Sequence, residues 1–296
     1  MSFPDGRRID QYDASTTDLV LGELADVIRA SGFTGEHLVV IGGLVPTLLV
    51  PELAPDAEPH IGTTDLDLCV SVALVEGDTA EYERLESAIV GIGFEQSEQS
   101  FRWVRKDGLR MTLEFFCPAS AERPPGRAYR PPAAKNATAK HNFGGKLSAL
   151  SLSAGQILVD DVEVIERAVE LPNGKGRLRI SLRVTGPLAF LLAKKDALVG
   201  RDKPKDAYDI VWLIENWPGG PRGAASAVVS RSAFTAETRS ALLGLRELFA
   251  DVESVGAASF ASFFANAERD LLHRRRAVGA VEEFLSAVES HDESHE

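Results

Sequence analysis

The sequence predicts an α/β fold, with a small mixed sheet flanked by helices and carrying the acidic residues, followed by a helical carboxyl-terminal portion. Three observations lead there. A short apolar strand, Leu38-Val39-Val40-Ile41, runs into Gly42-Gly43 and then into an apolar stretch whose early Pro46 suits the first turn of a helix. An alternating run, Asp65-Leu66-Asp67-Leu68-Cys69-Val70, reads as a strand in which residues i and i+2 share a face, so both carboxylates project together while the apolar residues turn to a core. Beyond Thr185-Gly186-Pro187 the apolar residues recur at helical spacing almost to the end. Two portions are expected: residues 1–185, an α/β domain with a basic loop and a hairpin, and 186–296, a helical domain.

The elements follow in order. Ser15-Thr16-Thr17-Asp18 opens a helix with Leu21, Leu24, Val27 and Ile28 on one face, and Gly32 is placed to stop it. After the strand, the Gly-Gly turn, a helix and the acidic strand, Glu81 to Ile92 reads as an amphipathic helix. Phe101 to Val104 and Leu109 to Cys117 read as a hairpin turning at Asp107-Gly108. In its second arm Leu109, Met111, Leu113 and Phe115 alternate with Arg110, Thr112, Glu114 and Phe116, which sets Glu114 on the face opposite the apolar set. From Pro118 to Lys146 the composition turns to loop chemistry, with proline doublets and Arg123, Arg127, Arg130, Lys135, Lys140 and Lys146 against the single acid Glu122. Gln156 to Val184 reads as a strand hairpin around Asn173-Gly174. Helices are expected from Gly186-Pro187 to about Val199, from Lys205 to Trp217, and through Ala224 to Val288, with an acidic, frayed tail from Ser290.

Composition bounds the function. A 44% hydrophobic share with 26% charge is that of an ordinary globular protein able to bury a core. No run of eighteen apolar residues and no basic, then apolar, leader is seen, so no membrane span or secretory signal is expected and the cytoplasm is the default compartment. Cys69 and Cys117 lie in apolar runs, as buried free thiols do. A net charge of −12 argues against a protein that coats DNA, although cations of the 118–146 segment could neutralise nucleic-acid phosphates. Gly144-Gly145-Lys146 lacks the spacing of a phosphate loop, and His37, His60, His141 and His273 lack metal-ligand spacing. Arg274-Arg275-Arg276 reads as a solvated helix face.

Like charges side by side on a strand face repel and need a reason to be there. Asp65 and Asp67 together offer the hard oxygen donors that Mg²⁺ takes when it keeps waters and draws its other ligands from substrate phosphates. Glu114 would complete a metal triad. Phosphoryl or nucleotidyl transfer suits such a site, because positioning and charge neutralisation carry most of that catalysis.

The order strand, Gly42-Gly43, helix, then Thr63-x-Asp65-x-Asp67, then a third acid in an apolar strand, resembles the nucleotidyltransferase superfamily. Within it, the resemblance is to the AbiEii/MenT-like group of bacterial toxin-antitoxin systems. A second anchor lies about 130 residues on, in Lys194-Lys195-Asp196-Ala197 through Arg201 to Lys205-Asp206-Ala207-Tyr208-Asp209. It resembles that group's lysine, alanine three residues later, arginine, then Lys-x-Lys/Arg-Asp-x-x-Asp. The resemblance covers about Val39 to Leu213, and it departs at Ile61, where the family often carries an arginine.

The resemblance implies a catalytic set of Asp65, Asp67, Lys194 and Asp206, with Lys194 reaching the phosphates and Asp206 orienting it or assisting the attacking group. It also implies nucleotide contacts at Gly42, Gly43, Thr63, Thr64, Lys194 and Arg201, and Mg²⁺ on Asp65, Asp67 and Glu114. The expected reaction moves a nucleoside monophosphate from a nucleoside triphosphate to a tRNA or protein acceptor, as a toxin with a cognate antitoxin. The alternatives are a non-catalytic antitoxin or nucleotide-sensing module of the same fold, and a metal-dependent nuclease or phosphohydrolase.

Overall fold

The computed structural model describes residues 5–32, 38–70, 79–105, 111–129 and 147–293. The turn expected at Asp107-Gly108, the Gly144-Gly145-Lys146 stretch, His37, His141 and the cations Arg130, Lys135, Lys140 and Lys146 lie outside the described residues. The elements in chain order are α1 (Thr16–Ser31), β1 (Leu38–Ile41), α2 (Val45–Leu49), β2 (Asp65–Val70), α3 (Thr79–Gly91), β3 (Glu95–Gln96), β4 (Arg102–Arg105), β5 (Met111–Pro118), β6 (Ala128–Tyr129) and β7 (Ala149–Leu152). They continue with α4 (Gly155–Asp160), β8 (Val162–Glu170), β9 (Arg177–Thr185), α5 (Pro187–Gly200), α6 (Lys205–Asn216), α7 (Gly220–Val229), α8 (Ala236–Leu243), α9 (Leu245–Leu248), α10 (Val255–Phe264) and α11 (Asp270–Glu293).

The chain divides into two compact units. Residues 15–44 and 63–185 form a sheet unit; residues 1–14, 45–62 and 186–296 form a helical unit. Two stretches of the expected 1–185 portion therefore group with the helices. The physical reason in the second stretch is burial: Val45, Pro46, Leu48 and Leu49 of α2 are buried, and α2 packs on α6.

In the sheet unit the strand order is β3-β4-β5-β2-β1-β9-β8, with β7 beside the far end of β5 and paired also to β6. The sheet is mixed, since β1 runs antiparallel to β2 but parallel to β9, and β2 runs parallel to β5. Every residue of β1 is buried, as befits a central strand with both faces covered. In β2 and β5 the period of two does the sorting: Leu66, Leu68, Met111, Leu113 and Phe115 are fully buried, while Asp65, Asp67 and Glu114 stay partly exposed. Helix α1 contributes Val20, Leu24 and Val27 to that core, and its Glu23 forms a buried ion pair with Arg105 of β4.

Two expectations change. Residues 155–160 form the short helix α4 before the hairpin, so the hairpin starts at Val162 and not at Gln156. Its turn is as expected, with Asn173 and Gly174 at φ 58° and 68°, the left-handed region that asparagine and glycine tolerate. The acidic tail is helical as far as Glu293, because Phe284, Leu285 and Val288 bury the preceding turns of α11 and carry it on. The long periodic stretch after Gly219 is helical as expected, divided into five α-helices and one short 3₁₀ helix, Ala267–Arg269.

In the helical unit α6 is central, packing against α5, α7, α10 and α11. Tyr208 of α6 meets Phe263 at 5.1 Å and stacks on Phe260 at 6.5 Å between ring centroids. Residues 205–214 of α6 are all buried, charged ones included, so Lys205, Asp206 and Asp209 must find partners inside.

The Glu23–Arg105 pair yields a prediction for the sheet unit. Arg105→Met should destabilise it by about 3–5 kcal/mol by stranding a buried carboxylate, whereas Glu23→Leu combined with Arg105→Met should recover most of that loss. Urea unfolding of the three proteins checks it.

Candidate functional site

In the sheet unit β1 and β2 pair so that Ile41 lies opposite Asp67, and the chain leaves β1 through Gly42 at φ 73°. A Cβ built at Gly42 would stand 2.0 Å from Asp67 Oδ2 and 2.8 Å from its Cγ. The position requires glycine on both counts, for conformation and for contact with the carboxylate. Gly43 is buried in the same single turn, Gly42–Leu44, which packs against β2.

Asp65 and Asp67 occupy alternate positions of β2 and pair with Thr112 and Glu114 of β5, which brings the four side chains to one face. Thr112 Oγ1 donates to Asp65 Oδ1. Thr63, 4% exposed, spends its hydroxyl on Asp65, accepting from its N–H at 3.0 Å and donating to its carbonyl at 3.1 Å. This local turn fixes the entry into β2. Thr64 Oγ1 is buried and has no hydrogen-bond partner among the described residues, so it is a polar group awaiting one.

The expected three-carboxylate set is not assembled. Glu114 lies opposite Asp67, but its Oε1 accepts from Nε of Arg102, its neighbour on β4. Among the described residues no group of three or more His, Cys, Asp or Glu side chains is arranged to hold a metal ion. What remains is a pair of hard carboxylates on a half-exposed strand face, a donor set that fits a Mg²⁺ ion sharing its shell with water and phosphate.

The helical unit gathers the second set of expected residues. Lys194 Nζ donates to Asp206 Oδ1 at 2.9 Å and stands 2.6 Å from Asp209 Oδ2. The latter is a contact of charge, since that oxygen has no aligned hydrogen bond among the described residues. Arg201 grips Asp206 with two hydrogen bonds, Nε to Oδ2 at 2.8 Å and Nη2 to Oδ1 at 2.9 Å. Lys205 Nζ donates to Asp209 Oδ1 at 2.8 Å. Lys194 is thus buried among carboxylates, while the Arg201 side chain is half exposed.

Three partners in this network, Lys205, Asp209 and His60, were absent from the expected site. Asp209 is fully buried, and His60, 3% exposed, places Nε2 2.9 Å from Asp209 Oδ1. The N–H of Gly62 donates to His60 Nδ1 at 3.1 Å, so that nitrogen is the acceptor and Nε2 carries the proton given to Asp209. The spacing Lys205-x-x-x-Asp209 carries a signal, an i,i+4 ion pair on a helix; nothing local marks His60, which reaches Asp209 across 149 residues.

Burial alone would raise the Asp206 and Asp209 carboxyls. Lys194 with Arg201 outweighs it at Asp206, and Lys194 with Lys205 and His60 holds Asp209 well below the usual range. Burial opposes charge on Lys194, but Asp206 and Asp209 more than offset it and raise its pKa. At Lys205 burial wins and the pKa falls. Burial likewise pushes His60 down to about 4, against the pull of Asp209, so the ring is neutral near pH 7.

No protein-family model matches the chain. No curated protein matches it either. Among solved structures it is similar to an antigenic nucleotidyltransferase-like protein from Paracoccidioides brasiliensis, with 17% identity over 86% of this chain and 99% of that one and a TM-score of 0.39. A likeness of that extent carries nothing about chemistry.

Two outcomes are expected. Gly42→Ala should cost about 1–2 kcal/mol through its left-handed backbone, more with the displaced Asp67, as a lowered melting temperature in calorimetry. The second concerns pH. A histidine whose folded pKa lies below its unfolded value of 6.5 leaves stability intact above that value and withdraws it as pH falls toward about 4. Urea midpoints should therefore decline across that window, and His60→Gln should flatten the decline. Asp206 and Asp209, also depressed, add a separate loss only below their ordinary value of 3.8.

Proposed function

We propose that the sheet unit is a Mg²⁺-dependent nucleotidyltransferase site. The observation that supports this reading best is the packing of Asp67 against the bare backbone of Gly42, with Asp65 beside it on the same strand face. A glycine turn that ends a strand and abuts paired carboxylates suits a triphosphate, because backbone can approach the phosphates where a side chain would not fit. Asp65 and Asp67 would hold the cation; when bound, it neutralises charge on the phosphates and lowers the pKa of a coordinated oxygen.

The chain's own residues then divide the work. Thr63 holds the Asp65 backbone, Thr112 orients the Asp65 carboxylate, and Gly42 leaves room for that of Asp67. Thr64 Oγ1 offers a hydroxyl for the nucleotide. The reaction joins an acceptor hydroxyl oxygen to the α-phosphorus of a nucleoside triphosphate, breaks the bond to the β-phosphate oxygen, and releases pyrophosphate. A tRNA or a protein supplies the hydroxyl, and the product of the reaction would inhibit growth unless an antitoxin restrains it. In the helical unit, Arg201 is the half-exposed cation of its network. Lys194, fully engaged by Asp206 and Asp209, is assigned to positioning them.

A specific observation favours the second reading, a nucleotide-binding module that does not transfer: Glu114 is bound to Arg102, leaving two carboxylates where three were expected. One assay separates the readings. With each labelled nucleoside triphosphate, Mg²⁺ and total RNA or cell protein, label joining a macromolecule supports transfer. Triphosphate binding without product supports the sensor, and shortened RNA supports a nuclease. Asp65→Asn and Asp67→Asn should each lower transfer by about a thousandfold or more while leaving the melting temperature within a few degrees, since several kcal/mol of transition-state stabilisation are at stake. Unchanged labelling in both variants would sink the assignment.

A further inference from the structure

The sheet unit ends in a long edge strand. Strand β8 is last in the strand order and among the described residues pairs only with β9, in an unbroken register from Val162 on Thr185 to Glu170 on Arg177. It has nine residues, whereas β3 at the other end has two. Proteins guard such edges with shortness, proline, bulges or charge, because a row of unanswered backbone groups invites another strand. Strand β8 has neither proline nor bulge, and its charges, Glu163, Glu166, Arg167 and Glu170, are of both signs.

The hairpin fixes which backbone groups point outward. The N–H of Leu171 donates to the Gly176 carbonyl at 2.7 Å, so in the same register the odd-numbered residues of β8 spend their N–H and C=O groups on β9. Val164, Glu166 and Ala168 therefore turn theirs to the open side, where no described residue answers them. Val164 is 68% exposed, and Glu166 and Ala168 are exposed too, so the stretch is uncovered. The side chains of Glu163, Ile165 and Arg167 share the opposite face of the strand and are half-buried.

The occupant that fits this edge is a second copy of the same strand. A two-fold axis perpendicular to the sheet pairs the copies antiparallel and keeps each side chain on its own face, so one residue must lie opposite itself. With Glu163, Glu166 or Arg167 at the axis, like charges meet directly, which is destabilising. With Ile165 there, isoleucine meets isoleucine and Glu163 lies opposite Arg167 of the second copy, twice by symmetry. The outward backbone groups suit that register, since Val164 exchanges both of its bonds with Glu166 of the second copy. Val162 then faces Ala168.

We propose that β8 is a homodimer interface, joining two copies edge to edge in antiparallel register about Ile165 and carrying the sheet across both. Each copy uses its one long edge, so the assembly closes at two. The area of a single strand pair is below the roughly 1,200 Å² of a standard interface, which makes the association a weak one. It stands independently of the carboxylate pair on β2.

Sedimentation velocity of the full chain from about 1 to 500 μM tests it: the weight-average mass should climb from 31.9 kDa toward twice that and go no further. Glu163→Arg and Arg167→Glu should each weaken the dimer about tenfold or more, and the two together should restore it. Those positions are about 13 Å apart along one strand, so the rescue reads a contact between copies. Mild oxidation should link Ile165→Cys to itself, its Cα atoms about 4.5 Å apart, and spare Glu166→Cys. In the unsubstituted protein the amides of Val164, Glu166 and Ala168 should exchange with solvent more slowly at high concentration than at low. A mass that stays at one chain throughout overturns the proposal and leaves the edge to a strand of a different protein. So does a mass rising past two chains, amide exchange indifferent to concentration, a dimer indifferent to either charge reversal, a double reversal without rescue, or oxidation that links both cysteine variants alike.

Discussion

The contact between Asp67 and Gly42 is the constraint on which the placement of the sheet unit's carboxylates turns. With Oδ2 of the carboxylate 2.0 Å from where a Cβ would stand, neither the glycine nor the register of β1 on β2 can shift without moving the acid. A slip of one residue would turn Asp65 and Asp67 into the core and Leu66 and Leu68 out of it, a loss of two fully buried leucines. Core packing therefore enforces the placement of the carboxylates. Their mutual repulsion is tolerated because leucine burial outweighs it, with Thr112 and Thr63 supplying hydrogen bonds to Asp65.

The helical unit solves a different problem. Helix α6 is buried along almost its whole length and still carries Lys205, Asp206 and Asp209. Desolvating three charges is costly unless each is answered, and the answers come from α5 through Lys194, from the segment after it through Arg201, and from His60. The network fixes α5 against α6 with directional bonds where apolar contact alone would let helices slide. His60 stays neutral in this network because burial opposes its charge, and Lys205 and Lys194 add to that against the pull of Asp209.

These two arrangements differ in how far they could be read in advance. The alternation of Asp65 to Cys69, the apolar β1, the Asn173-Gly174 turn and the Gly186-Pro187 start of α5 are local patterns, and each appears where the pattern places it. The acid pair on one face needed only the period of a strand. Glu114 shows the limit of such reading, because its face was legible and its partner was not: Arg102 arrives from a neighbouring strand through antiparallel pairing. The short helix α4 was missed for a similar reason, since its six residues are too few to show a periodicity against the β-branched residues that follow.

By itself the sequence determined the class of fold, the strand that carries two carboxylates and the glycine turn ahead of it, because backbone periodicity and glycine's conformational range are properties of neighbouring residues. Only the tertiary structure decided which polar groups answer one another: Glu114 with Arg102, Lys194 with Asp206 and Asp209, and Asp209 with the neutral His60 across 149 residues. It likewise decided which aromatic rings of α6, α10 and α11 enclose a cavity. Charge pairing and enclosure depend on distances between segments remote in the chain, and burial sets their strength, so neither is written in any local pattern.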